Sequence, residues 1–230
     1  AFTKSKPKRI FRRKPRKAPR SRATTGRSGF RSLAPVPDRQ YVRLKYSGLI
    51  NITPAAGTMG NHLFRSSQFD PDYTGVGHQP LGRDQWAAFY QRYRVMGIKY
   101  QFIFMNNGGT VKADCHVVIK SSNTTVANNQ TAWEKPYSKH VVLAQKDSGG
   151  SVKTVTGYMS CAKALCVLKR NYNNNPDNAP LFGTNPATAN TAWLHVYAGP
   201  SDESSSSNVD IRCNLTYYVQ YSDRVPLTTS

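Results

Sequence analysis

The sequence predicts an all-β fold: an eight-stranded jelly roll (β-sandwich) with one short helix, preceded by a disordered basic N-terminal arm. Three observations lead to this prediction. After Asp38, hydrophobic and polar residues alternate in many short segments; the stretches between them are rich in Gly, Pro and Asn; and positive charge is concentrated before Asp38. We therefore expect a domain of short strands and long loops at 36–230, and a separate arm at 1–35.

The N-terminal arm carries most of the net charge. The 230-residue chain has 32 Lys and Arg against 12 Asp and Glu, which gives a formal net charge of +20. Thirteen of the basic residues precede the first acidic residue, Asp38. They are Lys4, Lys6, Lys8, Arg9, Arg12, Arg13, Lys14, Arg16, Lys17, Arg20, Arg22, Arg27 and Arg31. Because like charges repel and few bulky apolar groups are present, such a segment is typical of disorder.

Strands are predicted where the hydrophobic pattern has a period of two. The longest such run is 209–221, where every second residue is apolar or aromatic. Its apolar phase contains Val209, Ile211, Cys213, Leu215, Tyr217, Val219 and Tyr221. The other predicted strands are 42–52, 98–104, 113–120, 140–145, 152–158, 161–168 and 192–197. Tyr100, Tyr217 and Tyr221 keep the apolar phase and are expected in the core, whereas Tyr218 lies in the polar phase.

One segment has helical spacing, behind Asp84 as a candidate N-cap. Its aromatic residues at i, i+3, i+4 and i+7 are Trp86, Phe89, Tyr90 and Tyr93. The stretches 54–83 and 171–191 are rich in turn-forming residues. We expect them to be long loops that form functional surfaces.

Motifs of enzymes and metal sites are missing from the sequence. It contains no phosphate-binding glycine loop, no His-Glu-x-x-His and no Gly-x-Ser-x-Gly, and a cupin-type enzyme would need a His-x-His cluster that it lacks. Cys115 and His116 are neighbours on a predicted strand and point to opposite faces, and Cys161 and Cys166 are out of phase. We expect no enzyme, no catalytic residue, no cofactor and no metal ligand set.

Asp70 and Asp72 leave one alternative open. They lie in Phe-Asp-Pro-Asp-Tyr-Thr-Gly and could offer two oxygens to Ca²⁺, or simply form a polar turn.

The sequence has no apolar run of the roughly 18 residues that a membrane-spanning helix needs, and no apolar run follows its N-terminal charges. No membrane insertion and no secretory signal are therefore expected. Four scattered cysteines favour reduced thiols and synthesis inside the cell.

Nucleic acid is the partner that the arm predicts. All thirteen basic residues are expected to contact phosphates, because neutralising a phosphate releases condensed counterions. No spacing in the arm indicates sequence-specific readout. Eight of these residues also predict a nuclear localisation signal. They are Lys8, Arg9, Arg12, Arg13, Lys14, Arg16, Lys17 and Arg20. A merely solubilising tail and an acidic membrane surface are alternatives, although the arm lacks amphipathic periodicity.

Two parts of the sequence resemble a known protein family. The run Trp86-Ala-Ala-Phe-Tyr-Gln-Arg-Tyr-Arg-Val-Met-Gly-Ile-Lys-Tyr-Gln-Phe102 resembles the short helix and following strand of capsid proteins from small circular single-stranded DNA viruses, the circovirus-like group. The order of basic arm, β-domain and a last strand ending Leu215-Thr-Tyr-Tyr-Val-Gln-Tyr221 is similar too. The resemblance implies a jelly roll that self-assembles into a T=1 icosahedral shell of about 60 copies, with the arms inside.

The expected function is therefore that of a viral capsid protein. It would be found in the virion, and in the host nucleus during assembly. Its expected partners are viral single-stranded nucleic acid (ssDNA in preference to RNA), other copies of itself in a homo-oligomer, the host import machinery and an unknown receptor. Two alternatives remain: the capsid protein of a small ssRNA or satellite virus, and a cellular basic nucleic-acid-binding protein with a β-domain.

Overall fold

The computed structural model of the protein describes residues 36–108 and 110–226. These residues form eight strands, four short α-helices and two 3-10 turns. The strands are β1 (Gln40–Ile52), β2 (Gly60–Arg65), β3 (Tyr90–Asn106), β4 (Ala113–Lys120), β5 (Ser138–Leu143), β6 (Val152–Ser160), β7 (Trp193–Pro200) and β8 (Val209–Arg224). The helices are α1 (Arg83–Ala87), α2 (Asn129–Glu134), α3 (Cys161–Ala164) and α4 (Lys169–Asn174), and the 3-10 turns are Pro176–Asn178 and Thr188–Asn190.

The strands form two four-stranded sheets, a first sheet in the order β1-β8-β3-β6 and a second sheet in the order β2-β7-β4-β5. Every pairing is antiparallel. The sheets contain the pairs β1 with β8, β2 with β7, β3 with β6, and β4 with β5. These are the pairs of an eight-stranded ribbon folded back on itself and rolled up, which defines a jelly roll. The predicted eight-stranded jelly roll is confirmed, but the prediction of a single short helix is wrong, since the described residues contain four.

The core lies between the two sheets and follows the predicted phase of the strands. In β8, all seven residues of the apolar phase are at most 1% exposed. Tyr100, Tyr217 and Tyr221 are buried, as predicted. Each large side chain buried in this way stabilises the fold by about 1.5–3 kcal/mol. The alternation of β8 therefore fixes which face of the first sheet points inward.

The middle of the second sheet is covered on both faces. Val118 on β4 and Tyr197 on β7 point away from the main core, yet both are fully buried. They pack with Val126 and with Ala132 of α2. As a result β7 is buried along its whole length.

The connections between strands separate into two ends of the sandwich. At one end, the β1–β2 and β7–β8 connections meet where the amide of Gly57 donates to the carbonyl of Ser205 at 3.1 Å. The side-chain amide of Asn106 donates to the carbonyl of Ala144 at 2.8 Å, which ties the end of β3 to the β5–β6 connection. The longer connections lie at the other end.

The predicted helix is wrong in extent. α1 ends at Ala87 and its N-cap is Gly82, not Asp84. Tyr90 and Tyr93 belong to β3, where they pair with Arg224 and Tyr221 of β8. The i, i+3, i+4 and i+7 spacing arises because Trp86, Tyr90 and Tyr93 all turn toward the core from a helix that runs straight into a strand. Strand pairing over seventeen residues outweighs the weak helix propensity of aromatic residues.

The number of strands is as predicted, but the set is not. The predicted strand 161–168 is wrong: Cys161, Ala162 and Ala164 are buried on one side of α3, and Cys166 then adopts a left-handed conformation. Helix propensity explains this, since Cys-Ala-Lys-Ala-Leu contains no β-branched residue. The sequence reading missed β2, a six-residue strand inside the stretch 54–83.

The stretch 171–191 is also more structured than a loop. It contains most of α4 and both 3-10 turns. Tyr172 is 3% exposed, and its hydroxyl donates to the carbonyl of Val95 at 2.7 Å. This aromatic anchor holds the connection against β3.

Candidate nucleic-acid interface

The residues predicted to bind nucleic acid lie outside the described residues. All thirteen, from Lys4 to Arg31, and the eight of the predicted nuclear localisation signal, fall within 1–35. Nineteen basic residues remain in 36–230, together with all twelve acidic residues.

Four exposed basic residues share the outward face of the first sheet. Arg43 and Lys45 lie on β1, Lys99 on β3 and Arg212 on β8. They share a face because each alternates with buried residues and the register aligns them: Thr216 of β8 lies opposite both Lys45 and Lys99. We call this surface the outward face.

Asp210, an acidic residue of β8 on the outward face, lies at one end of the strand and is bound by two asparagine side chains. Asp210 lies near the connections, where Asn51 donates to its carboxylate at 2.6 Å and Asn107 donates as well. The cross-strand neighbours between Arg43 and Lys99 are the neutral residues Tyr218 and Thr216. The half of the outward face around Tyr218 is therefore positively charged.

Tyrosine side chains lie among these basic groups. The guanidinium carbon of Arg43 is 5.6 Å from the ring centroid of Tyr218, a cation–π distance. The ring of Tyr158, on β6, meets Tyr218 edge-to-face with centroids 5.8 Å apart. Tyr158 is 54% exposed and Tyr41 64%.

Gly97 explains why Tyr158 lies flat on the sheet. A Cβ at position 97 would collide with the hydroxyl end of Tyr158 and would lie 2.7 Å from the carbonyl oxygen of Met159. The register of β3 against β8 also shifts between Val95 and Gly97. The tyrosine ring therefore crosses the backbone of β3 where no side chain stands.

Arg94 belongs to the same side of the sheet but is used structurally. It is 9% exposed. Its guanidinium donates to the carbonyls of Asn173 at 2.6 Å and Asn175 at 2.8 Å, and to the side chain of Gln220 at 3.3 Å. Burial lowers the pKa of Arg94. These hydrogen bonds fix α4 on the sheet, so Arg94 is not available to a ligand.

The two aspartates considered for Ca²⁺ are engaged by residues of β2 and of their own turn. Asp70 pairs with Arg65. Asp72 lies 3.1 Å from Nε2 of His62 and accepts hydrogen bonds from the amide and hydroxyl of Thr74, at 3.0 and 2.7 Å. Burial alone would raise the pKa of Asp72, but the hydrogen bonds from His62 and Thr74 lower it. This is the arrangement of a polar turn.

The remaining titratable groups are dispersed. Cys115 lies in the core, while His116 points to the other face of β4, with Nε2 3.1 Å from Oδ1 of Asn129. The predicted separation of this pair is confirmed. Among residues 36–108 and 110–226, no three His, Cys, Asp or Glu side chains are grouped to hold a metal ion.

Within the same ranges, no helix has the length and apolarity needed to cross a bilayer.

The chain resembles solved structures from several viruses. It is 11% identical to the BFDV capsid protein solved as a 60-mer, over 84% of this chain and 97% of that one, with a TM-score of 0.43. For the empty particles of cowpea mosaic virus the values are 12% identity, 86% and 50% coverage, and a TM-score of 0.46. For Desmodium yellow mottle tymovirus the identity is 13%, over 86% of this chain and 98% of that one, with a TM-score of 0.37. The jelly roll is defined by the strand order of the chain itself.

Sequence comparison adds no family. No protein-family model matches the chain, and no curated protein matches it.

Sequence reasoning missed the outward face. It placed Tyr218 in the polar phase but did not connect it with Arg43 or Tyr158. The strand alternation does contain the necessary information, since Arg43, Tyr158 and Tyr218 all stand in the exposed phase of their strands. The strand order, which places β1, β8, β3 and β6 side by side, could not be deduced from the alternation.

Proposed function

We propose that this protein is the shell subunit of a small icosahedral virus capsid, and that residues 1–35 form an arm which packages single-stranded nucleic acid. The domain at 36–230 self-associates into the shell, and the arm neutralises the enclosed polyanion. The role is structural.

One combination of features carries this proposal. A jelly roll alone serves many functions, and so does a basic tail. Here a jelly roll with the pairs β1 with β8, β2 with β7, β3 with β6 and β4 with β5 follows a segment with thirteen basic residues and no acidic one before Asp38. A rigid unit that closes a shell and a cationic segment that collects phosphate are the two parts a self-packaging container needs.

The finer proposal is a circovirus-like capsid: a T=1 shell of about 60 copies around circular single-stranded DNA. The run from Trp86 to Phe102 and the last strand support it through their resemblance to that family. RNA is the competing cargo, because the arm contacts phosphates and these do not distinguish the two nucleic acids.

Particle formation tests the shell. The full chain, expressed and purified, is expected to form closed particles visible by negative-stain electron microscopy. The nucleic acid inside should be degraded by a DNA-specific nuclease once the particles are opened, and should resist an RNA-specific one. A monomer that binds nucleic acid without forming particles would contradict the capsid proposal, and contents sensitive only to ribonuclease would contradict the DNA assignment.

Charge neutralisation tests the arm. Arg12, Arg13, Arg16 and Lys17 are changed together to Gln. In the salt dependence of single-strand binding, each lost phosphate contact lowers the slope of log K against log salt by about 0.7, so the slope should fall by about 3.

A matched control changes four exposed basic residues of the described domain to Gln. They are Lys112, Lys146, Lys169 and Arg170. This control removes the same charge but should leave the slope nearly unchanged. Equal effects of the two sets would mean that net charge, and not the arm, drives binding.

Nuclear import is proposed for the same arm. Residues 8–20 fused to a fluorescent reporter are expected to concentrate the reporter in the nucleus. Changing the eight predicted basic residues of the signal to Gln should return it to an even distribution.

A further inference from the structure

We infer that the outward face of the first sheet is a second binding site for single-stranded nucleic acid, on which bases stack against Tyr158 and against the Arg43 guanidinium that lies over Tyr218, while Lys45 and Lys99 hold the phosphates. The inference rests on the proposed packaging function. It assigns part of the binding to the folded domain, whereas the sequence predicts nucleic-acid-binding residues in the arm alone.

The chemistry of the outward face fits this ligand. Proteins that bind single strands without sequence preference combine exposed aromatic rings with a positively charged track along the backbone. Tyr158 lies flat over Gly97 and offers a ring that is 54% exposed. Arg43 covers the neighbouring ring of Tyr218, and guanidinium groups also stack on bases.

The spacing of the charges fits as well. Arg43 and Lys45 are two residues apart on one strand, which separates them by about 7 Å. Lys99 lies two strands away from Lys45, at about 10 Å. Each tyrosine lies beside one of these cations: Tyr218 of β8 is opposite Arg43, and Tyr158 of β6 is opposite Lys99.

These cations are free to bind an external anion. In residues 36–108 and 110–226, the ion pairs involve Arg65, Arg83, Arg92 and Arg224, together with His62. Arg43, Lys45 and Lys99 are exposed and make no ion pair within those ranges. Charge complementarity therefore favours a polyanion, and the exposed rings favour one with unpaired bases over a duplex or an acidic protein surface.

The middle of the second sheet lacks this arrangement. Its outer face is closed by α2 and the residues around Val126, and the side chains it directs outward include the buried Val118 and Tyr197. The centre of the second sheet is therefore covered, whereas the first sheet presents rings and cations.

Photo-crosslinking of the full chain locates the contact. The protein is stripped of nucleic acid in high salt and mixed with 20-nucleotide single strands in which thymine or uracil is replaced by 5-iodouracil, as DNA and as RNA in separate arms. After irradiation, mass spectrometry identifies the attached peptides. Attachment at Tyr158 or Tyr218 is expected in addition to the arm. Attachment confined to residues 1–35, with either nucleic acid, would overturn the inference and leave the packaging proposal intact.

Ring removal gives the quantitative test. Tyr158 and Tyr218 are changed together to Leu in the full chain, and binding is measured at about 0.5 M salt, where the contribution of the arm is weakened. The affinity should fall by about 5- to 100-fold, the range measured for one stacked base or more. Changing the same two residues to Phe should retain most of the affinity, since Phe keeps the stacking ring.

A matched control separates stacking from general effects. Tyr73 is 45% exposed and lies under Arg65, with the guanidinium carbon 5.3 Å from its ring centroid, but it packs against Trp193 of the second sheet. Tyr73→Leu should leave binding unchanged. If Y158L/Y218L bound as well as Y73L but no longer formed particles, the outward face would be a contact between copies and the inference would be wrong. No binding to any variant, or to the unaltered chain, would instead remove the packaging function itself.

Discussion

Nε2 of His78 lies 2.8 Å from the carbonyl oxygen of Ser47 and joins the β2–α1 connection to β1. Nδ1 of the same ring lies 2.8 Å from the carbonyl oxygen of Gln79, and the ring stacks on Tyr46 with centroids 4.5 Å apart. A neutral imidazole has one N–H and can donate to only one of the two carbonyls, whereas imidazolium donates to both. The geometry selects the protonated ring.

The first prediction concerns pH. The hydrogen bonds to Gln79 and Ser47 raise the pKa of His78 above its ordinary 6.5. The stabilisation is thus complete below pH 6.5 and is lost as the pH rises through the raised pKa. His78→Asn, which cannot titrate, should therefore cost more stability at about pH 5.5 than at about pH 8.5, by less than about 1 kcal/mol because the side chain is exposed. Urea unfolding of both proteins measures this, and parallel pH profiles would contradict it.

His195 should have the opposite pH dependence. Nε2 lies 2.9 Å from the carbonyl oxygen of Ser122, so it carries the proton, and Nδ1 accepts from the hydroxyl of Tyr197 at 2.9 Å. Burial lowers the pKa of His195 to about 4, although the bond to Ser122 opposes this. The unfolded chain binds a proton at about pH 6.5 and the folded one does not, so stability falls between about pH 6.5 and pH 4.

The test uses a neutral residue of similar shape. His195→Gln keeps a donor for Ser122 and an acceptor for Tyr197 but does not titrate. Between pH 6.5 and 4, the variant should lose less stability than the unaltered protein, by about 2–3 kcal/mol. The two urea midpoints would converge at low pH, and an equal loss in both proteins would show that His195 is not the group responsible.

Gly157 tests the packing of the core. A Cβ at this position would collide with Cζ and the hydroxyl of Tyr100, which is 1% exposed. Gly157→Ala should destabilise the domain by about 1–3 kcal/mol, the usual range for overpacking. Gly149→Ala is the control, because nothing lies within 4 Å of its added Cβ. Adding Tyr100→Leu to G157A should cost less than the two single changes together, and simple additivity would show that the collision is not the cause.

The alternation of β8 shows how far the sequence predicts the fold. Its seven apolar positions all point into the core because period two leaves only two faces to choose between. Gln220 breaks the pattern, because it stands in the polar phase and yet is 4% exposed. Its side-chain oxygen accepts a hydrogen bond from Arg94, and its side-chain nitrogen donates to the hydroxyl of Tyr41 at 2.8 Å. Such burial depends on α4, which covers this end of the sheet through the bonds of Arg94.

Two other segments were predicted wrongly because they also depend on residues distant in the sequence. Phe64 of β2 is fully buried, but it follows Asn61 and His62 in a short segment with no clear alternation, so only its pairing with β7 identifies the strand. Cys161 is buried in a helix and not in a strand because β6 ends at Ser160 and the chain turns there. Partners distant in the sequence decide both segments, and the candidate interface depends on the same kind of information.

The four cysteines give the last prediction. None is joined to another: Cys115, Cys161 and Cys213 are buried, and Cys166 is exposed in a left-handed turn conformation. Burial raises the pKa of Cys161 to about 12 and that of Cys213 to about 11, and a buried thiol is protonated and inert. A thiol reagent at about pH 8 should therefore modify one cysteine in the native subunit and four in urea. Cys166→Ser should remove the native reaction; a remaining fast thiol would place a second cysteine at the surface and contradict the packing of the core around Cys161 and Cys213.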